Sequence, residues 1–230
     1  MKNKYLAIAI ACDYEVTLID SNFDQIKIDD QTYFINNNII LFFCGVGKVS
    51  AASSLTLLIK NFCLHGIINI GSCLGINGAN ALDIILGTAI QYGDVDITAD
   101  SKYEINQMVS QPKYFYTSSI LNQLINQVLV DFDQPISFSK IMTVDSFVTT
   151  KNINKFNEIN DQDVQAIDME ACALAQVANN FEIKFSVIKI VSDTLLNQVN
   201  NHDDFVNNIQ FIAKLINKII TKFCLSNIFF

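Results

Sequence analysis

The stretch 164-VQAIDMEACALAQVANNFEIKFSVIKIVSD-193 reads as strand, acid, helix, strand, acid. A short extended run turns at Asp168-Met169-Glu170. Ala171, Ala173, Leu174, Ala175 and Val177 then follow at helical spacing. The apolar run Phe185–Val191 stops at Ser192-Asp193. Carboxylates at the carboxyl ends of strands are where open α/β sheets bind and transform ligands. Each acid has a plainer role open to it: Asp168 or Glu170 as a helix cap, Asp193 as the start of a turn. Two acid-ended strands in one segment favour the catalytic role.

The bulk composition agrees with a buried sheet. The chain has 230 residues, of which 50% are apolar and 17% charged. That length suits one domain spanning residues 1–230, and the composition suits a sheet covered on both faces. Net charge is -8, and all fifteen basic residues are lysines. Nucleic acid selects a basic face with arginine forks, which this chain lacks. The acidic balance also argues against anionic membranes. No segment has the length to span a bilayer. Lys2 and Lys4 before YLAIAIAC superficially resemble a signal peptide, but Asp13 and Glu15 follow at once, so the run is read as the first strand. The six cysteines form no C-x-x-C pair, and His65 and His202 are isolated. Zinc and redox-pair spacings are therefore absent. Buried thiols in a reducing cytoplasm are expected instead.

From the N-terminus, Tyr5–Ala11 reads as a strand, with a helical turn at Val16–Ile19. Phe23–Ile28 and Thr32–Ile35 make a hairpin around Asp29-Asp30. Ile39–Cys44 is a strand and Val49–Phe62 a helix. Gly66–Ile70 and Ile84–Tyr92 are strands; residues 93–116 form a loop that reaches outward. Ser118–Val130 is a helix, Ile136–Val144 a strand, and Ile153–Ile159 a helix. A long helix from about Asp203 to Cys224 closes the chain. Strands and helices alternate without linker or repeat, so the fold class is α/β.

Two motifs fail on inspection. Gly45-Val46-Gly47-Lys48 lacks the G-x-x-x-x-G-K-[ST] spacing of a phosphate loop. Asp94, Asp96 and Asp100 lack the glycine and closing glutamate of a calcium loop.

The ordered stretches CDYEVTLI (12–19), GVGKVSAA (45–52), NIGS (69–72), YGDVDITA (92–99), VDSFV (144–148), AIDMEACALA (166–175) and IVSD (190–193) resemble the 5′-methylthioadenosine/S-adenosylhomocysteine nucleosidases. These belong to the nucleoside phosphorylase/nucleosidase superfamily. The resemblance implies a three-layer α/β/α fold on a twisted mixed sheet, and a homodimer. It implies hydrolysis of an N-glycosidic bond that releases adenine from a 5′-thioribose, with no metal or cofactor.

By the same resemblance, Asp193 matches the general acid toward adenine N7, which burial would help to hold its proton. Glu15 matches the group that holds and activates water. Glu170 matches the acceptor of the ribose hydroxyls, and its charge favours the developing oxocarbenium. Met169 matches the side chain under the sugar, Phe147 the ring stacked on adenine, and Val148 the backbone that reads its edge. Ser72 matches a residue orienting the general acid. Val46 and Cys12 fall in matching stretches and join the substrate-binding set. Alone, Met169 and Phe147 would be ordinary core residues and Ser72 a strand terminator. Acids at 15, 170 and 193 have no such plain place in a core.

The chain departs from the pattern at Lys189, where arginine is usual and the planar fork is lost. It departs again at Asp100, where an aromatic is common in a region reaching the neighbouring subunit's pocket, and at His202. Cys73-Leu74 replaces small residues. Three rivals remain on this scaffold. A phosphorylase would need arginines for phosphate, and none exist here. A nucleosidase for another purine nucleoside would differ in the 5′ subsite. A non-catalytic nucleoside binder would not need three acids.

Overall fold

The computed structural model describes residues 4–16, 23–156, 161–195 and 202–226, with the side chains of 202–207 outside the description. The strands are β1 (Lys4–Ile10), β2 (Asp24–Ile28), β3 (Gln31–Asn36), β4 (Ile39–Phe43), β5 (Cys63–Gly75), β6 (Ile84–Tyr92), β7 (Phe115–Tyr116), β8 (Ile136–Thr143), β9 (Val164–Asp168) and β10 (Lys184–Thr194). The helices are α1 (Lys48–Asn61), α2 (Ser119–Leu129), α3 (Ala171–Asn180) and α4 (His202–Leu225).

Local chemistry accounts for these elements. The strands are Ile- and Val-rich runs, which suit a pleated buried surface. Asp29 and Asp30 take φ of 49° and 62°, the left-handed pair that closes the tight β2–β3 hairpin. Ser118 caps α2, its hydroxyl accepting from the Leu121 N–H.

All strands join one mixed sheet. β1 runs parallel to β4 on one side and β5 on the other; β3 and β2 extend the β4 edge antiparallel. β5 also runs parallel to β10, which pairs antiparallel with β6. β6, β8 and β9 are parallel neighbours, and β9 returns to β5. Five strands thus close on themselves, a curl beyond the open twist expected from the sequence. β9 pairs with the last two residues of β5, Ile167 opposite Leu74 and Ala166 opposite Gly75. That contact carries the end of β9 to the crevice formed by the ends of β1, β5 and β10.

Period-2 alternation sorts the core into two faces. Ala7, Ala9, Ile40, Phe42, Ile67 and Val187 pack with α1 and α3. Leu6, Ile8, Ile39, Leu41, Ile68 and Ile188 pack with α2 and α4. The result is the helix–sheet–helix layering of an α/β fold. Among the described residues, no helix is long and apolar enough to cross a membrane.

Several local expectations need correction. β5 runs on through Gly71 and Ser72 to Gly75, because β10 pairs with it along that length. The turn after β1 is a 3-10 turn at Asp13–Glu15, with Val16 extended; residues 17–22 lie outside the description. The helix expected at Ile153–Ile159 is a 3-10 turn at Ile153–Lys155, and 157–160 lie outside the description. Residues 93–116 do not simply reach outward. Val95 and Asn106 are buried, the Asn106 N–H donates to the Val95 carbonyl at 2.9 Å, and β7 pairs with β6.

Candidate active site

The strand ends enclose a cleft of about 170 Å³. Glu15, Asp193, Glu170, Met169, Phe147, Val148, Ser72, Val46 and Cys12 all line it. Residues far apart in sequence meet there because β1, β5, β9 and β10 all end at this edge.

Glu15 is buried by its position between β1 and β5. Its Oε1 accepts from the Ser72 N–H and the Ser72 hydroxyl, both at 2.7 Å, and its Oε2 accepts from the Ala11 N–H at 3.2 Å. Three donors fix both carboxylate oxygens, and further lone pairs can still take a water's proton. Gly71 keeps the space open: a Cβ there would lie 3.2 Å from Glu15 Oε1 and 3.5 Å from Lys189 Nζ.

The expectation that Ser72 orients Asp193 is corrected in part, since its hydroxyl serves Glu15. The hydroxyl beside Asp193 is that of Ser192, whose Oγ lies 2.6 Å from Asp193 Oδ1 and 3.0 Å from the Cys73 carbonyl. A hydroxyl has one proton to give. The Ser192 proton can be given to either of these two acceptors, the Asp193 carboxylate oxygen or the Cys73 carbonyl. Asp193 follows a bulge in the β5–β10 register at Val191, which turns it toward the cleft. Asn208 of α4 donates to the Ser192 carbonyl at 2.9 Å and steadies that bulge.

Asp168 and Glu170 divide the work at the end of β9. Asp168 takes the structural part. Its Oδ2 caps α3 by accepting from the Ala171 N–H at 2.9 Å, and its Oδ1 accepts from Thr143 Oγ1 at 2.5 Å. Its Oδ2 also forms an ion pair with Lys189 Nζ at 2.7 Å, both side chains 1% exposed. Burial alone would lower the lysine's pKa; Asp168, Glu170 and Glu15 outweigh it, and the net shift is upward. Glu170 occupies the cap position without capping. It turns to α1 instead, where its Oε1 accepts from the Gly47 N–H at 2.8 Å. This frees its second oxygen for a ligand.

Burial raises the Glu170 pKa to about 7; Lys189 and the Gly47 N–H pull it down, while Asp168 and Glu15 push it up. The sign of the pH effect follows. A carboxyl raised from 4.5 to about 7 costs nothing at pH 4, where it is protonated folded or unfolded. As pH climbs through that window the unfolded chain loses the proton first, so the group's contribution turns destabilising. Glu170→Gln protein is therefore expected to melt above the parent at pH 8 and to converge with it near pH 4. Parallel melting curves across that range check this; a constant offset would refute it.

Two thiols face the cleft, Cys12 and Cys73. Burial pushes Cys12 up to about 12 despite a hydrogen bond from Tyr14, and the burial of Cys73 pushes it higher still. Both stay neutral and make poor nucleophiles. All six cysteines are unpaired. Asp100 lies outside the cleft lining, exposed in a turn where its Oδ1 accepts from the Lys102 N–H at 3.1 Å. The His202 side chain lies outside the described residues; from α4, Ile209 reaches the cleft.

Comparison with known proteins agrees with this geometry. Residues 5–224 match the model of the phosphorylase superfamily. A 5′-methylthioadenosine/S-adenosylhomocysteine nucleosidase of Buchnera aphidicola subsp. Schizaphis graminum is 34% identical over 205 residues, covering 89% of this chain and 85% of the relative. That of Listeria innocua is 30% identical over 216 residues, covering 88% and 92%. This chain belongs to the 5′-methylthioadenosine/S-adenosylhomocysteine nucleosidase family of the phosphorylase superfamily. An S-adenosylhomocysteine nucleosidase from Streptococcus pyogenes, solved with 5-methylthiotubericidin, superposes with a TM-score of 0.84 at 27% identity, covering 100% of this chain and 99% of that one. The nucleosidase family's mixed sheet with flanking helices is thus the fold found here.

Sequence reasoning offered Asp168 as a helix cap, the part it plays on α3, but missed Ser192 as a support and the pairing of Asp168 with Lys189. The signal for that pairing was Lys189 itself, a charge inside an apolar strand that demands a buried partner.

Proposed function

We infer that this chain hydrolyses the N-glycosidic bond of 5′-methylthioadenosine and S-adenosylhomocysteine, releasing adenine and the 5′-thioribose product. The observation that carries this is the convergence of Glu15, Glu170 and Asp193 on one cleft. Asp193 protonates the leaving adenine. Glu15, held by Ser72 and Ala11, draws the proton from the attacking water. Glu170 accepts the ribose hydroxyls and stabilises the oxocarbenium. Met169 packs under the sugar, Phe147 and Val148 hold the base, and Val46 and Cys12 complete the walls. Phosphate in place of water would approach the Glu15 carboxylate with no arginine to receive it.

The remainder of the reading is that residues 1–230 act as one domain, as a homodimer, in the cytoplasm, in methionine salvage. Six unpaired thiols support a reducing compartment. Val46, Val49 and Phe147 are 49%, 80% and 64% exposed, apolar surface that a second subunit would cover. Light scattering of the purified protein tests the dimer.

The deciding assay is adenine release from methylthioadenosine with and without phosphate. Equal release in both arms is expected. Release only with phosphate would make the chain a phosphorylase, and none in either would point to another purine nucleoside or to a binder.

A further inference from the structure

The Gly45–Lys48 turn fails as a phosphate loop, yet its last two residues connect the two halves of the cleft. We propose that Lys48 is a positioning residue that clasps the base-stacking loop Asp145–Val148 to the ribose-binding carboxylate of Glu170. The proposal rests on the nucleosidase reading for the identity of those two subsites.

The first backbone N–H groups of a helix have no partner within it. At α1 two neighbouring ones go to opposite sides of the cleft. The Gly47 N–H donates to Glu170 Oε1 at 2.8 Å, and the Lys48 N–H donates to Asp145 Oδ1 at 2.9 Å. One peptide unit therefore sets the distance between Glu170 and the loop. Gly47 takes φ +89°, and a Cβ there would come within 3.3 Å of Asp145 Oδ1, so a side chain would crowd the join.

The Lys48 ammonium locks this arrangement. It contacts Asp94 Oδ1 at 2.7 Å and Oδ2 at 2.9 Å, and Asp145 Oδ2 at 3.5 Å. Asp94 Oδ2 in turn accepts from the Asp145 N–H at 2.8 Å. Residues 48, 94 and 145 thus close a ring of charge-assisted hydrogen bonds. The Lys48 and Asp94 side chains are 18% and 21% exposed, enough shelter to exceed the worth of an open surface pair. The ammonium also lies 5.3 Å from the centre of the Tyr92 ring, and the Tyr92 hydroxyl donates to Gln176 of α3 at 2.6 Å. Val148 anchors the far end of the loop in the core, whereas Phe147 is 64% exposed. At the Asp145 end this ring holds the loop, and Asn152 Nδ2 donates to the Phe147 carbonyl at 3.0 Å.

A loosened loop costs ordering on binding, so the clasp is read in affinity. Adenine is the probe, titrated by calorimetry into the parent, Lys48→Met and Lys48→Arg, with kcat and KM for methylthioadenosine measured alongside. Lys48→Met is expected to weaken adenine and raise KM each about tenfold, with kcat within about threefold of the parent. Lys48→Arg, which keeps the charge, is expected to recover most of this. Adenine affinity and KM within about twofold of the parent would overturn the clasp, as would a fall in kcat alone. Should Lys48→Met fold poorly, Asp94→Asn carries the same expectation with little change of shape. Adenine binding needs no turnover. A parent that binds adenine but releases none from the nucleoside would sink the nucleosidase reading and still test the clasp; a parent that does not bind adenine would overturn both.

Discussion

Asp193→Asn protein is expected to turn over methylthioadenosine about 10²–10⁴-fold more slowly than the parent, the usual worth of a positioned acid. The change is nearly isosteric. The amide it introduces can still meet Ser192 Oγ and leave the bulge after Val191 in place. It cannot give up a proton as adenine leaves, so the loss falls on kcat with KM little moved. Glu15→Gln is expected to lose a comparable factor for a different reason. The amide keeps one acceptor for Ser72 but cannot take the proton of water. Near-parental turnover by Asp193→Asn would remove Asp193 from the role of general acid.

These acids were legible in the sequence because each follows an apolar run and ionised carboxylates are poor core residues. Most of the strand order was not, since pairing depends on contacts between distant segments. Ser72 illustrates the limit. Its position at a strand end follows from NIGS after an Ile-rich run, but its partner does not. Whether it serves Asp193 or Glu15 depends on β5 lying between β1 and β10, with both strands parallel to it. Gly71 and Ser72 look like stop signals, yet β5 continues through them to Gly75 because β10 pairs with it along that length. The split between Asp168 and Glu170 was hidden for a related reason. Two acids one residue apart look equivalent until the lysine four residues before Asp193 is seen to point at one of them.

Lys189→Met is expected to destabilise the fold by about 3–5 kcal/mol, the usual cost of removing one partner of a buried pair. Asp168 would keep its bonds from Thr143 and Ala171 but lose its counter-charge in a site with almost no water. The same ammonium lies near the point where Glu15 meets Gly71, so Glu15 and Glu170 would lose a favourable charge as well. Denaturant unfolding measures the cost, and a loss below about 1 kcal/mol would mean that the pair is only an isosteric filler. The double variant Lys189→Met/Asp168→Asn is expected to recover much of the stability, because it removes both charges and leaves no orphan. It is not expected to recover activity, since the cleft would hold Glu15 and Glu170 without the buried cation that faces them. Stability restored without turnover would place Lys189 in the electrostatics of the reaction. Restoration of both would confine it to the fold.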